Sequence, residues 1–304
     1  MFSNRRLTAT DSPLLGQILV LLAATGFSAK AILVKLAYVY HVNAVTLLAL
    51  RMLLSLPFFL AMVLWSRRQG QETPLTRREW VLVGVMGLSG YYLASLFDFL
   101  GLQYISAGLE RLILFLYPTF VVMISAVFFH RRITRRDVIA LLLSYAGIAL
   151  VVWHDLKINH DKDIVLGGLL VLASAIFFAV YMVGSGALVQ KLGSMRYTAY
   201  ASIASCLAVI LQFVLTHDIK ELEQPMPVYG YALAMAIFST VLPVLLMSEG
   251  IRRVGSSAAS MIGTVGPVLT IGMGYAFLHE SVTLLQTAGV ILVLAGVVVI
   301  SRQK

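Results

Sequence analysis

The sequence is poor in charge, in acidic residues and in cysteine. Charged residues make up 12% of its 304 positions, whereas a soluble domain carries about 25%. This excludes an ordinary cytosolic enzyme and a disordered chain. The one cysteine, Cys206, can form no intramolecular disulfide, which excludes a disulfide-stabilised scaffold.

Long apolar runs fill the chain instead. Hydrophobic residues make up 60% of it and the mean hydropathy is +0.90. A membrane-spanning helix needs about 20 apolar residues, so ten such helices with short loops account for the length. The first run follows a short tail, residues 1–13, and lacks the small-residue cleavage site of a signal peptide. The predicted helices are Leu14–Ala37, Asn43–Trp65, Glu79–Phe99, Ile105–Phe129, Asp137–Trp153, Leu166–Leu192, Arg196–Thr216, Tyr229–Gly250, Ser256–Leu278 and Val282–Ser301.

Basic residues concentrate in alternate loops between these runs. One side holds 16 of the 23 lysines and arginines, and the other holds only Lys157, Lys162 and Lys220, with Lys35 at its edge. The positive-inside rule therefore places both termini in the cytoplasm and requires an even number of helices. We expect a multi-pass protein of the inner (plasma) membrane. Short basic clusters in loops do not form the continuous stripe that nucleic acid requires.

The chain contains an internal repeat. A shift of 149 residues aligns Leu93–Val152 with Leu242–Ser301 without a gap. Each half has five helices, an odd number, so the second half crosses the membrane in the opposite sense. The sequence thus predicts an all-α integral membrane protein of two inverted five-helix repeats, residues 1–153 and 154–304, with a substrate path at their interface. Matched positions are Gly101 with Gly250, Pro118 with Pro267, His130 with His279 and Thr134 with Thr283.

Several of these features together resemble a known family. They are the tract from Gly101 to Ala107, Pro118, the connection from His279 to Thr283, Asn43, and the stretch from Leu50 to Leu53. The chain resembles the drug/metabolite transporter superfamily and, within it, the EamA family of ten-helix carriers. It departs from the family at Arg131, where a glutamate is usual. The resemblance implies transport of small metabolites, often export, and does not fix the substrate.

Four charged residues lie inside predicted helices: Lys30, Arg51, Glu110 and Arg111. At 1.5 Å per residue they lie about 8–12 Å from the outer helix ends. One interpretation is a polar layer that lines the outer half of a substrate pathway. The alternative is that the cations extend outward to the interface, or that Glu110 pairs with one of them. Neighbours on a helix point about 100° apart, and we expect Glu110 to face the cavity and Arg111 a protein partner.

Two prolines and three tyrosines complete the candidate site. Pro118 and Pro267 lie near the middle of helices 4 and 9, where proline kinks a helix. They are candidate gating elements, and the alternative is a kink that serves packing alone. Tyr91, Tyr117 and Tyr181 are candidate cavity-lining residues, although aromatic residues in membrane helices usually serve packing or the interface.

Two further acids, Asp98 and Glu249, lie near predicted helix ends. We expect both to be solvated, or Glu249 to pair with Arg252.

These observations predict a secondary-active transporter of small polar, amino-acid-like metabolites, with export as the expected direction. The alternative is a lipid-linked phosphate translocator or a membrane-embedded lipid enzyme, whose basic residues would hold a head group. The spans contain neither a metal-binding motif nor a phosphate-binding loop, so we expect no enzyme, no cofactor and no metal. The expected partners are a small-molecule substrate and the lipid bilayer, without nucleic acid, and both a monomer and a homodimer remain open.

Overall fold

The computed structural model describes residues 13–68, 74–129, 134–159, 163–263, 265–280 and 282–301. Within these ranges the chain is helical and has no strand. Residues 130–133, in the predicted connection after Phe129, and most of the predicted tail lie outside them. The helices are α1 (Pro13–Tyr38), α2 (Ala44–Arg68), α3 (Arg77–Gly101), α4a (Ala107–Leu114), α4b (Tyr117–Phe129), α5 (Arg135–Asn159), α6 (Asp163–Leu192), α7 (Ser194–Thr216), α8 (Met226–Ala236, Ile237–Val241 and Leu242–Gly263), α9 (Gly266–Leu278) and α10 (Leu284–Ser301), with a short 3-10 turn at Ile219–Leu222.

The apolar segments agree with the predicted ten. Seven helices are long and apolar enough to cross a membrane, and three shorter apolar segments lie in α5, α9 and α10. The all-helical, ten-segment fold class is therefore confirmed. The end of α5 differs from the prediction, because the helix continues to Asn159 instead of ending at Trp153. No proline or glycine lies between those two residues to stop it.

Helices of the two repeats pack against each other at glycine contacts. α1 packs on α8, where Gly16 and Gly250 meet, and α3 packs on α6, where Gly101 and Gly167 meet. A Cβ atom built on Gly250 would lie 2.5 Å from Val20 Cγ2, and one on Gly101 would lie 2.5 Å from Val171 Cγ2. Only glycine allows such close backbones. Because α2 also packs on α7 and α5 on α10, the halves interlock, and the division between residues 153 and 154 stays a prediction from the repeat.

A π-helical segment interrupts one helix in each repeat. Leu88–Leu93 lies within α3, and Ile237–Val241 lies within α8. The 149-residue shift that relates the repeats places Leu88 opposite Ile237. π-segments are rare and often occur at functional sites, so a matched pair marks a feature that both repeats share.

The connection predicted between helices 8 and 9 is helical in the structure. Leu242–Gly263 continues through it, supported by an i,i+4 ion pair from Glu249 to Arg253 at 2.7 Å. The chain still reverses direction there. From Pro243 to Gly250 the chain runs towards the start of α1, because Pro243 lies against Gly26 and Gly250 lies against Val20. By Gly266 it has returned towards the end of α1, where the Ser28 hydroxyl donates to Gly266 O.

Helices 4 and 9 are broken rather than kinked. In helix 4 a turn at Phe115 and Leu116 separates α4a from α4b, and the Leu116 N–H donates to Ile113 O. In the second repeat the matching Val265 N–H donates to Ile262 O just before α9. Pro118 and Pro267 are each the second residue of the helix that follows the break. Proline is tolerated there because the first turn has no intrahelical partner for its N–H.

Candidate functional site

A lysine and two carboxylates form the centre of the candidate site. Lys30 Nζ on α1 lies 2.6 Å from Asp98 Oδ2 on α3 and 3.5 Å from Glu110 Oε1 on α4a. The Asp98 and Glu110 residues are 1% and 0% exposed, respectively. One ammonium group thus serves two buried carboxylates, and neither Glu110 oxygen has a hydrogen-bond partner within the described chain.

These contacts correct two expectations. Asp98 is not solvated, because α3 continues past the predicted end at Phe99 and its last turn packs among buried side chains. Glu110 does not face an open cavity, because it is fully buried against Lys30. Glu249 pairs with Arg253, because an i,i+4 spacing puts the two side chains on one helix face, and the expected contact with the Arg252 side chain lies outside the described residues.

Arg51 reaches from α2 to the π-segment of the other repeat. Its Nε donates to Thr240 Oγ1 at 3.0 Å, and Thr240 Oγ1 in turn donates to Met235 O. The guanidinium carbon lies 5.4 Å from the centre of the Phe99 ring. Its Nη1 is buried and makes no hydrogen bond in the part of the chain that is described.

Arg111 lies beside the break that precedes α9. Its Nη2 is 3.5 Å from Ser28 Oγ, and its guanidinium carbon is 5.5 Å from the centre of the Phe115 ring. A Cβ built on Gly266 would lie 3.2 Å from Nη2. Among the described residues no carboxylate oxygen lies within 4.0 Å of either the Arg51 or the Arg111 guanidinium group.

The three predicted tyrosines join one tract of aromatic rings. The Tyr91 and Tyr181 hydroxyls are 3.0 Å apart, and the Tyr181 ring stacks 5.8 Å from Phe178. Tyr117 lies 5.1 Å from Phe178 and 6.3 Å from Phe115, the ring beneath Arg111. The tract therefore links α3, α4 and α6 to the charged residues.

The second repeat does not carry matching charges. The same shift that pairs the two prolines places Asp98 opposite Met247, Glu110 opposite Ala259 and Arg111 opposite Ser260. The charged chemistry of the candidate site therefore comes from the first repeat, on a backbone framework that both repeats build.

Glu280, for which the sequence predicts no role, also lies in this region. Its Oε1 accepts from the Ala107 N–H at 2.9 Å, and its Oε2 accepts from the Gly108 N–H at 3.4 Å. A carboxylate is favourable at the positive end of a helix, so Glu280 ties the connection between α9 and α10 to the start of α4a. It also lines a small pocket with Leu109, Ile271 and Gln286. The signal in the sequence is an acid two residues before the last predicted helix, Val282–Ser301.

The sequence profile of the EamA-like transporter family matches residues 14–153 and again residues 165–302. The chain belongs to this family. The double match follows the two repeats, and the multi-pass membrane architecture agrees with it. A metal site has no support in the described residues, where no three His, Cys, Asp or Glu side chains come together.

EamA relatives from bacteria and archaea share most of the chain. The Bacillus subtilis uncharacterized transporter YcbK is 31% identical over 280 residues, which cover 90% of this chain and 88% of YcbK. An uncharacterized transporter of Archaeoglobus fulgidus is 26% identical over 81% of this chain and 84% of its own length. The Synechocystis uncharacterized transporter sll1319 is 24% identical over 96% and 94%.

A crystal structure of another protein shares the fold. Its TM-score is 0.64 at 18% sequence identity, and the match covers 93% of this chain and 95% of that chain. The likeness supports the arrangement of the helices and carries no information on substrate.

Proposed function

We propose that this EamA transporter is a secondary-active carrier of small polar, amino-acid-like metabolites and that it works as an exporter rather than an enzyme. The observation that supports this most is a cluster of five charged side chains next to two broken helices, in which Lys30 is half-buried and the other four, Arg51, Asp98, Glu110 and Arg111, are buried. Charged groups inside a membrane are costly and mark substrate or ion pathways. Broken helices near the middle of inverted repeats are a common site of substrate binding in such carriers.

The proposed binding residues divide by chemistry. Arg51 and Arg111 offer guanidinium groups without a carboxylate partner in the described chain. Lys30 contacts Glu110 at 3.5 Å, a longer distance than its 2.6 Å contact with Asp98. A charged group of the substrate could replace one partner of this longer ion pair. Tyr91, Tyr117 and Tyr181 supply hydroxyl groups and ring faces along the aromatic tract.

The proposed gates are the two breaks at Pro118 and Pro267. A break leaves two helices that can tilt independently, and its freed carbonyls are tolerable only where they line protein or a cavity. Since the repeats are inverted, the same movement at the two breaks opens opposite sides of the membrane. This gives alternating access from one shared framework.

The proposed orientation places both termini in the cytoplasm of a cell with this protein in its inner membrane. It rests on the basic loops, and it is tested by labelling with a thiol reagent that does not cross membranes. On a Cys206→Ala background, Lys220→Cys should react from outside intact cells, whereas Arg77→Cys should react only after permeabilisation. Labelling of both from outside would reject the orientation.

A second candidate, a translocator of lipid-linked phosphates, has one observation in its favour. Two buried guanidinium groups without carboxylate partners also suit a phosphate head group. The two functions differ in the solute that moves.

Purified protein in proteoliposomes tests the proposal. Radiolabelled amino acids, sugars, organic acids and amines would be offered with and without a proton or sodium gradient, beside a fluorescent phospholipid for the alternative. We expect gradient-dependent flux of a polar, amino-acid-like solute above that of protein-free vesicles. Movement of the lipid alone would replace the proposal with the alternative, and no flux of any solute would reject a carrier of polar metabolites.

A further inference from the structure

We propose that Arg111 and the first turn of α9, which Ser28 links by hydrogen bonds to both, form a binding site for a carboxylate group of the transported solute. The inference rests on the proposed transport function and names the charge that the solute must carry. Nothing in the family membership assigns it, since the relatives above are uncharacterized.

Arg111 has no carboxylate oxygen within 4.0 Å of its guanidinium group in the described chain. The residue is 9% exposed and its Nε is buried without a hydrogen-bond partner in the described chain. Its one polar contact, Nη2 to Ser28 Oγ, is long at 3.5 Å. A buried donor without a partner is destabilising, and a guanidinium group presents a planar fork that matches a carboxylate.

The start of α9 lies beside the Arg111 guanidinium group. This 13-residue helix begins at Gly266, and the N-cap residue Val265 offers no side-chain cap. The N-terminus of a helix carries a partial positive charge, which favours an anion. Gly266 leaves room for the guanidinium group of Arg111 to lie against this first turn, because even a methyl group there would come within 3.2 Å of Nη2. Two positive groups therefore meet in a buried place, and a bound anion would stabilise both.

A comparison with Lys30 indicates why the solute group is an anion and not a cation. The protein already supplies Lys30 with two carboxylates, at 2.6 and 3.5 Å. For Arg111 the close contacts in the described chain are a hydroxyl group and the Phe115 ring, and the Glu110 carboxylate interacts with it only from more than 4.0 Å away. One guanidinium group and one helix end match the single negative charge of a carboxylate better than a doubly charged phosphate.

Arg196 provides a matched control. It is also a buried arginine, 8% exposed, with its guanidinium carbon 5.5 Å from the centre of the Tyr200 ring. Arg196 lies at the start of α7, whose Tyr200 contacts Trp80 near the start of α3. Arg111 instead follows Glu110, which shares Lys30 with Asp98 near the end of α3. Arg196→Gln therefore removes a buried charge of the same kind without touching the proposed site.

The test uses thermal unfolding of the purified full-length protein in detergent, followed by tryptophan fluorescence. The probes are matched pairs that differ only in charge: leucine with leucinamide, alanine with alaninamide, and acetate, butanoate and hexanoate with their amides. Ligand that binds only the folded state raises the melting temperature. We expect at least one acid to raise it above the effect of its amide in wild type and Arg196→Gln. The shift should be lost in Arg111→Gln and partly restored in Arg111→Lys.

Several results would overturn the site. One is that no acid exceeds its amide in the wild-type protein, and another is that Arg111→Gln keeps the acid-specific shift. If Arg111→Gln does not fold, Ser28→Ala decides, since it should weaken the shift while leaving the arginine in place, and an unchanged shift would count against the proposal. Flux separates this failure from failure of the transport function. Vesicles that carry only amides or amines refute the carboxylate site and keep the carrier, whereas vesicles that carry nothing refute the carrier.

Discussion

Leu116 and Val265 stand at equivalent positions of the two repeats, and the helix is broken at both. Each N–H donates three residues back along the chain, to Ile113 O and Ile262 O. A proline follows two residues later in both repeats. The two repeats thus share the position of the helix break, while the charged side chains that surround Lys30 come from the first repeat.

The prolines should matter more for transport than for folding. Alanine at position 118 or 267 restores the missing N–H and lets the preceding helix continue across the break. We expect Pro118→Ala and Pro267→Ala to keep wild-type expression and melting temperature and to lower the rate of solute flux in proteoliposomes. Wild-type flux in both variants would show that the breaks serve packing only.

Lys30 should be essential for stability. Lys30→Met removes the one ammonium group that contacts both Asp98 and Glu110, and loss of one partner of a buried pair costs about 3–5 kcal/mol. We expect a clear fall in melting temperature. The exposed Lys220→Met serves as the control and should melt as wild type does. Neutralising the nearer acid as well, in Lys30→Met with Asp98→Asn, should recover part of the loss, and a double variant no more stable than the single one would argue against the ion pair.

Glu110→Gln should separate stability from transport. Lys30 keeps its 2.6 Å contact with Asp98 in this variant, and a buried charge that lacks hydrogen bonds is removed. We therefore expect normal expression and an unchanged or higher melting temperature. Transport should be lost or its pH profile altered, because Glu110 no longer carries the negative charge that pairs with Lys30 and that a charged substrate group would replace. A well-expressed Glu110→Gln variant with wild-type flux at every pH would remove Glu110 from the mechanism.

The glycine contacts should be intolerant of a methyl group. Gly101→Ala and Gly250→Ala would each place Cβ 2.5 Å from a valine methyl carbon of the opposite repeat. Overpacking of this kind costs about 1–3 kcal/mol, so both variants should melt earlier. Gly84→Ala is the control, because a Cβ there meets nothing within 4 Å. A Gly250→Ala variant as stable as Gly84→Ala would contradict the described packing of α1 on α8.

Much of the fold could be predicted from the sequence because the membrane restricts the possibilities. Apolar length, basic loops and the gapless repeat between Leu93 and Ser301 were sufficient for ten segments in two related halves. The matched prolines located both breaks to within two residues. These features depend on local composition and on spacing along the chain, which a sequence shows directly.

The partners of the charged residues could not be predicted in the same way. Asp98 looks like an acid at a helix end, and only the packing of α3 against α1 shows that it holds Lys30. The π-segments have no composition of their own, so neither Leu88–Leu93 nor Ile237–Val241 was visible. The same holds for Glu280, whose role depends on a helix start 173 residues away in sequence.

Counterflow in proteoliposomes tests the central claim, that this chain is a carrier with a substrate site in the buried charged layer, most directly. Vesicles would be loaded with the unlabelled solute that the flux survey identifies, diluted, and supplied with a trace of labelled solute outside. We predict a transient accumulation of label above its final level for wild type and Arg196→Gln, and none for Arg111→Gln. Uptake that is equal in loaded and empty vesicles, or that is unaffected by Arg111→Gln, would contradict the account.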